Sequence, residues 1–362
     1  MKPLKVITIV GARPQFIKAA AVSRAIGAEY GGAIEEKIVH TGQHFDDNMS
    51  QVFFDDLEIP RPHYHLAISG GAHGAMTGRM LEAIEGVLLT EKPDWVLIYG
   101  DTNSTLAGAL SAAKLHIRVA HVEAGLRSFN MRMPEEVNRV ISDRLSTLLF
   151  CPTQTAVSNL NAEGITQGIH NVGDVMFDVA LYYRERARNQ SNVMQSLHLQ
   201  PKRFALATCH RAENTDDPAR LAEILSGLAQ IAQDIPVVLP LHPRTRKLVQ
   251  TYGLQDYLNA ITVCEPLPFF DMVALEQAAK VILTDSGGVQ KEAFFYGVPC
   301  ITLRDETEWV ETVQLGWNQL VGASQQAIVQ ACAQIGVNLP DVVRTTPYGV
   351  GHAARDILAH LL

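Results

Sequence analysis

The chain reads as an α/β protein built from two Rossmann-like domains, each a parallel sheet covered by helices. Three observations predict this. Short β-branched apolar runs alternate with helical patterns along the whole chain, as they do where helices cross over between parallel strands. The unusual polar residues fall just after those runs, at the strand ends where open α/β sheets bind ligands. A length of 362 residues is long for one core and comfortable for two.

The first half supplies strands at Val6–Val10, Ile38–His40, Val96–Tyr99 and Val119–Val122, with helices at Asn103–Leu115 and Glu135–Leu145. A seam is expected near Asn171–Asp174, dividing domain 1–172 from domain 173–352. Helical Val175–Arg188 and polar Asn189–Arg203 lead into a fresh series of strands at Phe204–Ala207, Val237–Pro240, Ile261–Val263, Val281–Leu283 and Cys300–Leu303. Helical stretches Leu221–Ala232 and Gln290–Phe295 lie between them. The last helix, 353–362, follows a turn with Gly349 and Gly351 and is expected to cross back onto the first domain. Two sheets whose functional ends face each other across a cleft is the simplest architecture for this order.

Composition narrows the function. The chain is 47% hydrophobic and 19% charged with a net charge of −8, ordinary for a soluble protein and unfavourable for a nucleic-acid surface, which needs clustered cations. Its five cysteines are widely spaced, as in reduced thiols of a cytoplasmic protein. The N-terminus reaches strand and turn too quickly for a signal peptide, and no apolar run is long enough to span a bilayer. No metal-ligand spacing is present.

Residues 284–292 read Thr-Asp-Ser-Gly-Gly-Val-Gln-Lys-Glu, between Val281–Leu283 and a helical segment ending at Gly297. A buried strand opens into a Ser286-Gly287-Gly288 turn and then a helix. Backbone N–H groups and the positive end of the helix dipole converge there on a point suited to phosphate. A ligand-free turn is the plain alternative, but Ser286 is a good N-cap and the full strand–turn–helix context is present. Glu292, a turn further on, can accept from the two hydroxyls of a ribose. Dinucleotide enzymes of the common kind carry such a loop after the first strand; here it lies in the second half, which assigns the diphosphate mainly to the second domain.

The loop Gly11–Lys18 has one glycine, then Arg13, Pro14 and Lys18. Cations at a helix start oppose its dipole, so an anion held by Arg13 and Lys18 would explain them. Asp101, Glu123, Glu135 and Glu136 form an acidic group, with Asp101 and Glu123 at the ends of expected neighbouring strands. Like charges in one cleft raise each other's pKa and cost stability, which is tolerated where acid–base chemistry is done. Glu136 alone reads better as a partner of the helix dipole. Arg127 and Arg139 can orient or neutralise these acids. His210 and His242 each follow a second-domain strand; either alone is an ordinary structural histidine, and together beside a phosphate loop they point to ligand contact.

These residues together resemble the non-hydrolysing UDP-N-acetylglucosamine 2-epimerase family. The matches are Gly11-Ala-Arg-Pro…Lys18, Thr41-Gly-Gln-His44, Gly100-Asp-Thr-Asn103, His121-Val-Glu-Ala-Gly-Leu-Arg127, Pro134-Glu-Glu…Asn138-Arg139, Thr208…His210-Arg211…Glu213-Asn214, Leu241-His-Pro243 and Asp285-Ser-Gly-Gly…Glu292. They run in family order over nearly the whole chain. The resemblance implies the glycosyltransferase-B arrangement of two domains, a homodimer, no cofactor, and inversion at C2 of a UDP-linked 2-acetamido sugar. It implies catalytic roles for Asp101, Glu123, Glu135 and His210. It implies substrate contacts from Arg13, Lys18, Gln43, His44, Arg139, His242, Ser286, Gly287, Gly288 and Glu292, with Phe270 as the aromatic at the uracil pocket.

Chemistry arrives at the same place. C2 of such a sugar is not next to a carbonyl, so simple deprotonation is closed to it. Transient oxidation would use a nicotinamide, whose glycine fingerprint the sequence lacks. Elimination of UDP, followed by re-addition to a glycal, needs acid–base groups at C2 and cations on the leaving diphosphate.

The chain departs from the usual family pattern in reading Arg13-Pro14-Gln15-Phe16 where Arg-Pro-Glu is common. With Phe45-Asp46-Asp47-Asn48-Met49, Ser69-Gly70-Gly71-Ala72 and Ser128-Phe129-Asn130, it is more similar to the branch acting on UDP-2,3-diacetamido-2,3-dideoxyglucuronate, whose manno-configured product enters surface polysaccharide such as lipopolysaccharide O-antigen. Epimerisation of UDP-N-acetylglucosamine to UDP-N-acetylmannosamine is the alternative. A glycosyltransferase of the same fold would share the nucleotide loop but needs an acceptor groove, and a UDP-sugar sensor has no use for the acids.

Overall fold

The computed structural model describes residues 2–43, 58, 61–335 and 346–362. The chain forms two compact units, Met1–Val179 with Thr346–Leu362, and Ala180–Thr345. It passes from one to the other inside the helix Val175–Gln190, later than the seam read from the sequence. Polar turn residues mark a seam only where a loop makes it; here the crossing lies within a continuous helix.

The first unit holds a seven-stranded parallel sheet: β1 (Leu4–Val10), β2 (Ile34–His40), β3 (Tyr64–His65), β4 (Trp95–Tyr99), β5 (Arg118–Val122), β6 (Leu148–Cys151) and β7 (Ile169–Asn171), in the order β3-β2-β1-β4-β5-β6-β7. The second holds six: β8 (Ala205–Thr208), β9 (Val237–Pro240), β10 (Thr262–Cys264), β11 (Val281–Thr284), β12 (Cys300–Thr302) and β13 (Asn318–Leu320), in the order β10-β9-β8-β11-β12-β13. The connection reverses direction between β1 and β4 in the first sheet and between β8 and β11 in the second. Crossovers on either side of such a switch point leave opposite faces of the sheet, opening a crevice beyond the strand ends.

Helices cover both faces, so the strands are apolar throughout rather than alternating. In the second unit Ala205, Ala207, Val237, Leu239, Val281 and Leu283 enter one core, while Phe204, Leu206, Val238 and Ile282 enter the other. The two-residue period of the strand thus divides each run between two cores. Helices begin where short polar side chains can accept from a free backbone N–H: Thr102 Oγ1 from Thr105 N at 3.3 Å, and Asp217 from Ala219 N at 2.9 Å. The final helix, Ala353–Leu361, packs on helix Arg13–Ala25 in the first unit. Trp95 Nε1 donates to Leu361 O at 3.2 Å, and Asp178 caps its start by accepting from Ala354 N at 2.8 Å.

Candidate active site

In the first unit the sequence-selected residues gather at the β1/β4 switch point. A pocket of about 180 Å³ is lined by Lys18, Gln43, Asp101 and Glu135, together with Gln15 and Asn138. Asp101 and Glu123 follow β4 and β5, which pair in register along Trp95–Tyr99 and Arg118–Val122. Lys18, nearly buried in the second turn of its helix, forms an ion pair with the Glu123 carboxylate. Asp101 accepts from Arg139 Nη2 at 2.6 Å, and Asn138 Nδ2 donates to the Asp101 carbonyl at 2.9 Å. Glu135 is half-buried at the start of helix Pro134–Leu145.

Glu123 is unusual in its backbone. Its φ is +72°, in the left-handed region that costs a non-glycine residue about 1–2 kcal/mol. The turn is held because the N–H groups of Glu123 and Ala124 both donate to Phe150 O, at 3.0 and 3.1 Å. The strained backbone thus carries an acid whose carboxylate is paired with a nearly buried lysine.

Glu136 is a loop anchor. It accepts from Ser128 N, Ser128 Oγ and Phe129 N at 3.0, 3.1 and 2.8 Å and pairs with Arg139 Nη1 at 2.7 Å. Burial pushes its carboxyl up, but the bonds from Ser128, Arg139 and Phe129 more than offset that and hold it below the usual range. Gln15 joins the two loops of the switch point. Its Oε1 accepts from Gly11 N and Ala12 N at 2.8 and 3.0 Å, while Nε2 donates to Tyr99 O at 2.8 Å and to Thr105 Oγ1 at 3.0 Å. Gln43 Oε1 accepts from Ser104 N and Oγ. His44 lies outside the described residues, as do Phe45–Met49.

In the second unit the candidates sit at the β8/β11 switch point. Ser286 is the N-cap of helix Gly287–Phe295, so Gly287 and Gly288 form its first turn rather than a loop before it. Gly287 lies close against its neighbours: a Cβ there would stand 2.5 Å from Glu308 Oε1 and 3.2 Å from Trp309 Nε1. Glu292 is half-buried in the second turn.

Asp285, which sequence reasoning left as part of a motif, ties the site together. Fully buried, it accepts from His210 N at 2.9 Å and Arg211 N at 3.0 Å, and lies 3.5 Å from His210 Nδ1. Its place directly before the N-cap was the available signal. His242 is the N-cap of helix Pro243–Thr251, its Nδ1 accepting from Arg244 N at 3.2 Å. Burial, His210 and Arg244 lower its pKa. The His210 and His242 rings lie 6.4 Å apart. Phe270 packs against Tyr183 and Phe269, with ring centroids 5.7 and 5.6 Å away.

Arg13 is half-buried at the first position of its helix. Among the described residues there is no cluster of three or more His, Cys, Asp or Glu side chains able to hold a metal, and no helix long and apolar enough to cross a membrane.

The first unit carries acids paired with cations, and the second an N-capped glycine helix. Known proteins resemble the chain along nearly its whole length. The chain is 53% identical to UDP-2,3-diacetamido-2,3-dideoxy-D-glucuronate 2-epimerase of Pseudomonas aeruginosa, over 99% of both chains. It is 34% identical to UDP-N-acetylglucosamine 2-epimerase of Escherichia coli K12, over 99% and 98%. The crystal structure of Methanocaldococcus jannaschii UDP-GlcNAc 2-epimerase in complex with UDP-GlcNAc and UDP superposes with a TM-score of 0.90 at 43% identity, covering 99% of each chain. Phytolacca americana UGT2, at 13% identity and TM-score 0.60, shares the fold alone. The UDP-N-acetylglucosamine 2-epimerase family model matches residues 28–362, and the chain belongs to that family.

Proposed function

We propose that the protein inverts C2 of a UDP-linked 2-acetamido sugar by eliminating UDP and adding it back. A base takes the C2 proton, the C–H electron pair becomes the C1=C2 bond of a glycal, and the C1–O pair leaves with UDP. The reverse steps deliver a proton to the other face of C2 while a UDP oxygen attacks C1. The observation that carries this reading is Glu123, held at a positive φ with its carboxylate on Lys18, just after the strand that pairs with the one leading into Asp101. Asp101, Glu123, Glu135 and His210 form the acid–base set. Arg13, Lys18, Gln43, His44, Arg139, His242, Phe270, Ser286–Gly288 and Glu292 are the substrate contacts, and the N-terminal turn of helix Gly287–Phe295 receives the diphosphate.

The substrate we infer is UDP-2,3-diacetamido-2,3-dideoxy-D-glucuronate, supported by the 53% identity to an enzyme of that name. The reading extends to a cytoplasmic homodimer that supplies surface-polysaccharide assembly with the manno epimer. Incubation with the substrate in D2O tests the chemistry. Deuterium should appear at C2 of both epimers; product formed without C2 label would overturn the elimination, and transfer of the sugar to an acceptor would assign a glycosyltransferase instead.

A further inference from the structure

We propose that His121 and Asp143 form a buried positioning pair that sets the spacing of the Asp101 and Glu123 turns. The inference rests on the reading of Asp101 and Glu123 as acid–base groups. His121 lies on β5, one residue before Val122, and its ring is fully buried. Its Nδ1 lies 2.7 Å from Asp143 Oδ1 and its Nε2 lies 2.7 Å from Gly100 O. A carboxylate and a backbone carbonyl only accept, so the ring satisfies both only with a proton on each nitrogen.

Asp143 connects the two turns. Besides His121, it accepts from Arg127 Nη1 at 2.7 Å and from Gly125 N at 3.1 Å, so one carboxylate holds both the residue that fixes Gly100 and the loop that follows Glu123. Burial pushes its carboxyl up, but the charges and bonds of His121 and Arg127 hold it below the usual range. Arg127 in turn is paired through Nε and Nη2 with Glu163 at 2.6 and 2.8 Å. With a cationic ring, His121, Arg127, Asp143 and Glu163 sum to zero charge.

Gly100 is where the pair meets the chemistry. It has φ +61°, and a Cβ on it would lie 3.1 Å from Lys18 Nζ and 3.8 Å from Glu123 Oε2. The next residue is Asp101. Asp143 shares its helix with Asn138 and Arg139, which hold Asp101 by its carbonyl and carboxylate. The helix therefore grips the Gly100–Asp101 turn through Asn138, Arg139 and the Asp143–His121 pair, and the Glu123 turn through Asp143. An apolar pair of the same volume would fill this space at no cost in charge burial. The polar pair fixes direction as well as distance.

Asp143→Asn keeps the volume but presents an amide N–H₂ toward Arg127 or the ring. His121→Gln reaches one acceptor only. In the full-length enzyme each variant should bind UDP with unchanged calorimetric affinity and lose about 100-fold in kcat, for epimerisation and for C2 deuterium exchange, with KM little altered. In wild type the Gly125 amide, which donates to Asp143, should exchange with solvent as slowly as the strand amides beside it. A folded variant that keeps kcat within about twofold of wild type, or a kcat loss matched by an equal rise in KM, overturns the proposal. So does fast exchange of the Gly125 amide in wild type, which decides the matter if neither variant folds. Absence of C2 exchange in wild type with any UDP-2-acetamido sugar would instead overturn the proposed function, leaving the amide measurement valid.

Discussion

Glu123 and His40 show how a single side chain couples local geometry to what can be measured. Glu123→Gln removes the charge that Lys18 faces in a nearly buried setting, so the ammonium loses its counter-ion while the strained backbone stays. Loss of a positioned base costs about 10²–10⁴ in rate. C2 deuterium exchange should fall by that much, with UDP affinity retained; exchange within tenfold of wild type would remove Glu123 from the acid–base set. His40 ends β2 against the rings of Phe16 and His65, at centroid distances of 4.9 and 4.5 Å. Burial, and then the His65 charge, lower its pKa to about 4. The unfolded chain therefore binds a proton at His40 that the folded chain refuses between about pH 6.5 and 4, and stability falls as pH drops through that window. Asp178 works against it: burial raises its carboxyl to about 6, so the folded state takes up a proton there as pH falls and gains stability. Urea unfolding of His40→Leu at pH 7 and pH 5 should show a smaller acid loss than wild type. An equal loss in both would assign the acid sensitivity elsewhere.

At the level of elements, the strand–turn–helix at Val281–Phe295 makes the sharpest prediction. Gly287→Val adds a Cβ that would stand 2.5 Å from Glu308 Oε1 and 3.2 Å from Trp309 Nε1, and two γ-carbons beyond it, so either these side chains or the first turn of helix Gly287–Phe295 has to move. UDP affinity measured by calorimetry should fall by at least about tenfold, or 1.4 kcal/mol, and Gly287→Ala should lose less. Unchanged affinity in both would move the diphosphate away from this helix. This element was legible because an apolar run, an N-cap residue and glycines stand in immediate succession. Even so, the sequence set the helix start at Gln290 where the structure begins at Gly287, since glycine's poor helix propensity hides a first turn held by a Ser286 cap. The short strands β6, β7 and β13 escaped notice, three or four residues being too few to show a period. So did the long helix His73–Glu91, whose three glycines, all on its exposed side, weaken the helical signal. In the site, the loop residues at strand ends could be read because polar side chains stand out there. Gln15, His121, Asp143 and Asp285 could not be assigned roles: each acts by joining segments far apart in sequence, and only coordinates show which ones meet.

For the molecule as a whole, the prediction concerns which sugar it turns over. A uronate adds a carboxylate at C5 and an acetamido group at C3, so its site needs one more cation and more room than UDP-N-acetylglucosamine does. Among the arginines that could serve, Arg79 is already drawn to the carbonyls of Ser69 and Gly70, at 3.2 and 2.6 Å, while Arg132 is exposed on the loop before Pro134. The kcat/KM for the diacetamido uronate should exceed that for UDP-N-acetylglucosamine by at least about tenfold. Comparable turnover in a side-by-side assay would place the chain in the ordinary branch. The return of helix Ala353–Leu361 to the first unit carries a different kind of consequence. The second unit is contiguous, Ala180–Thr345, while the first is interrupted by it. During synthesis every residue of the Ala180–Thr345 unit is made before the chain returns to the first unit. The first unit lacks the cover that helix Ala353–Leu361 gives Trp95 and helix Arg13–Ala25 until that helix has been made. Deleting 353–362 should therefore leave the Ala180–Thr345 unit resistant to limited proteolysis while exposing the unit that carries Asp101 and Glu123. Equal cleavage of both would show that the two units fold as one.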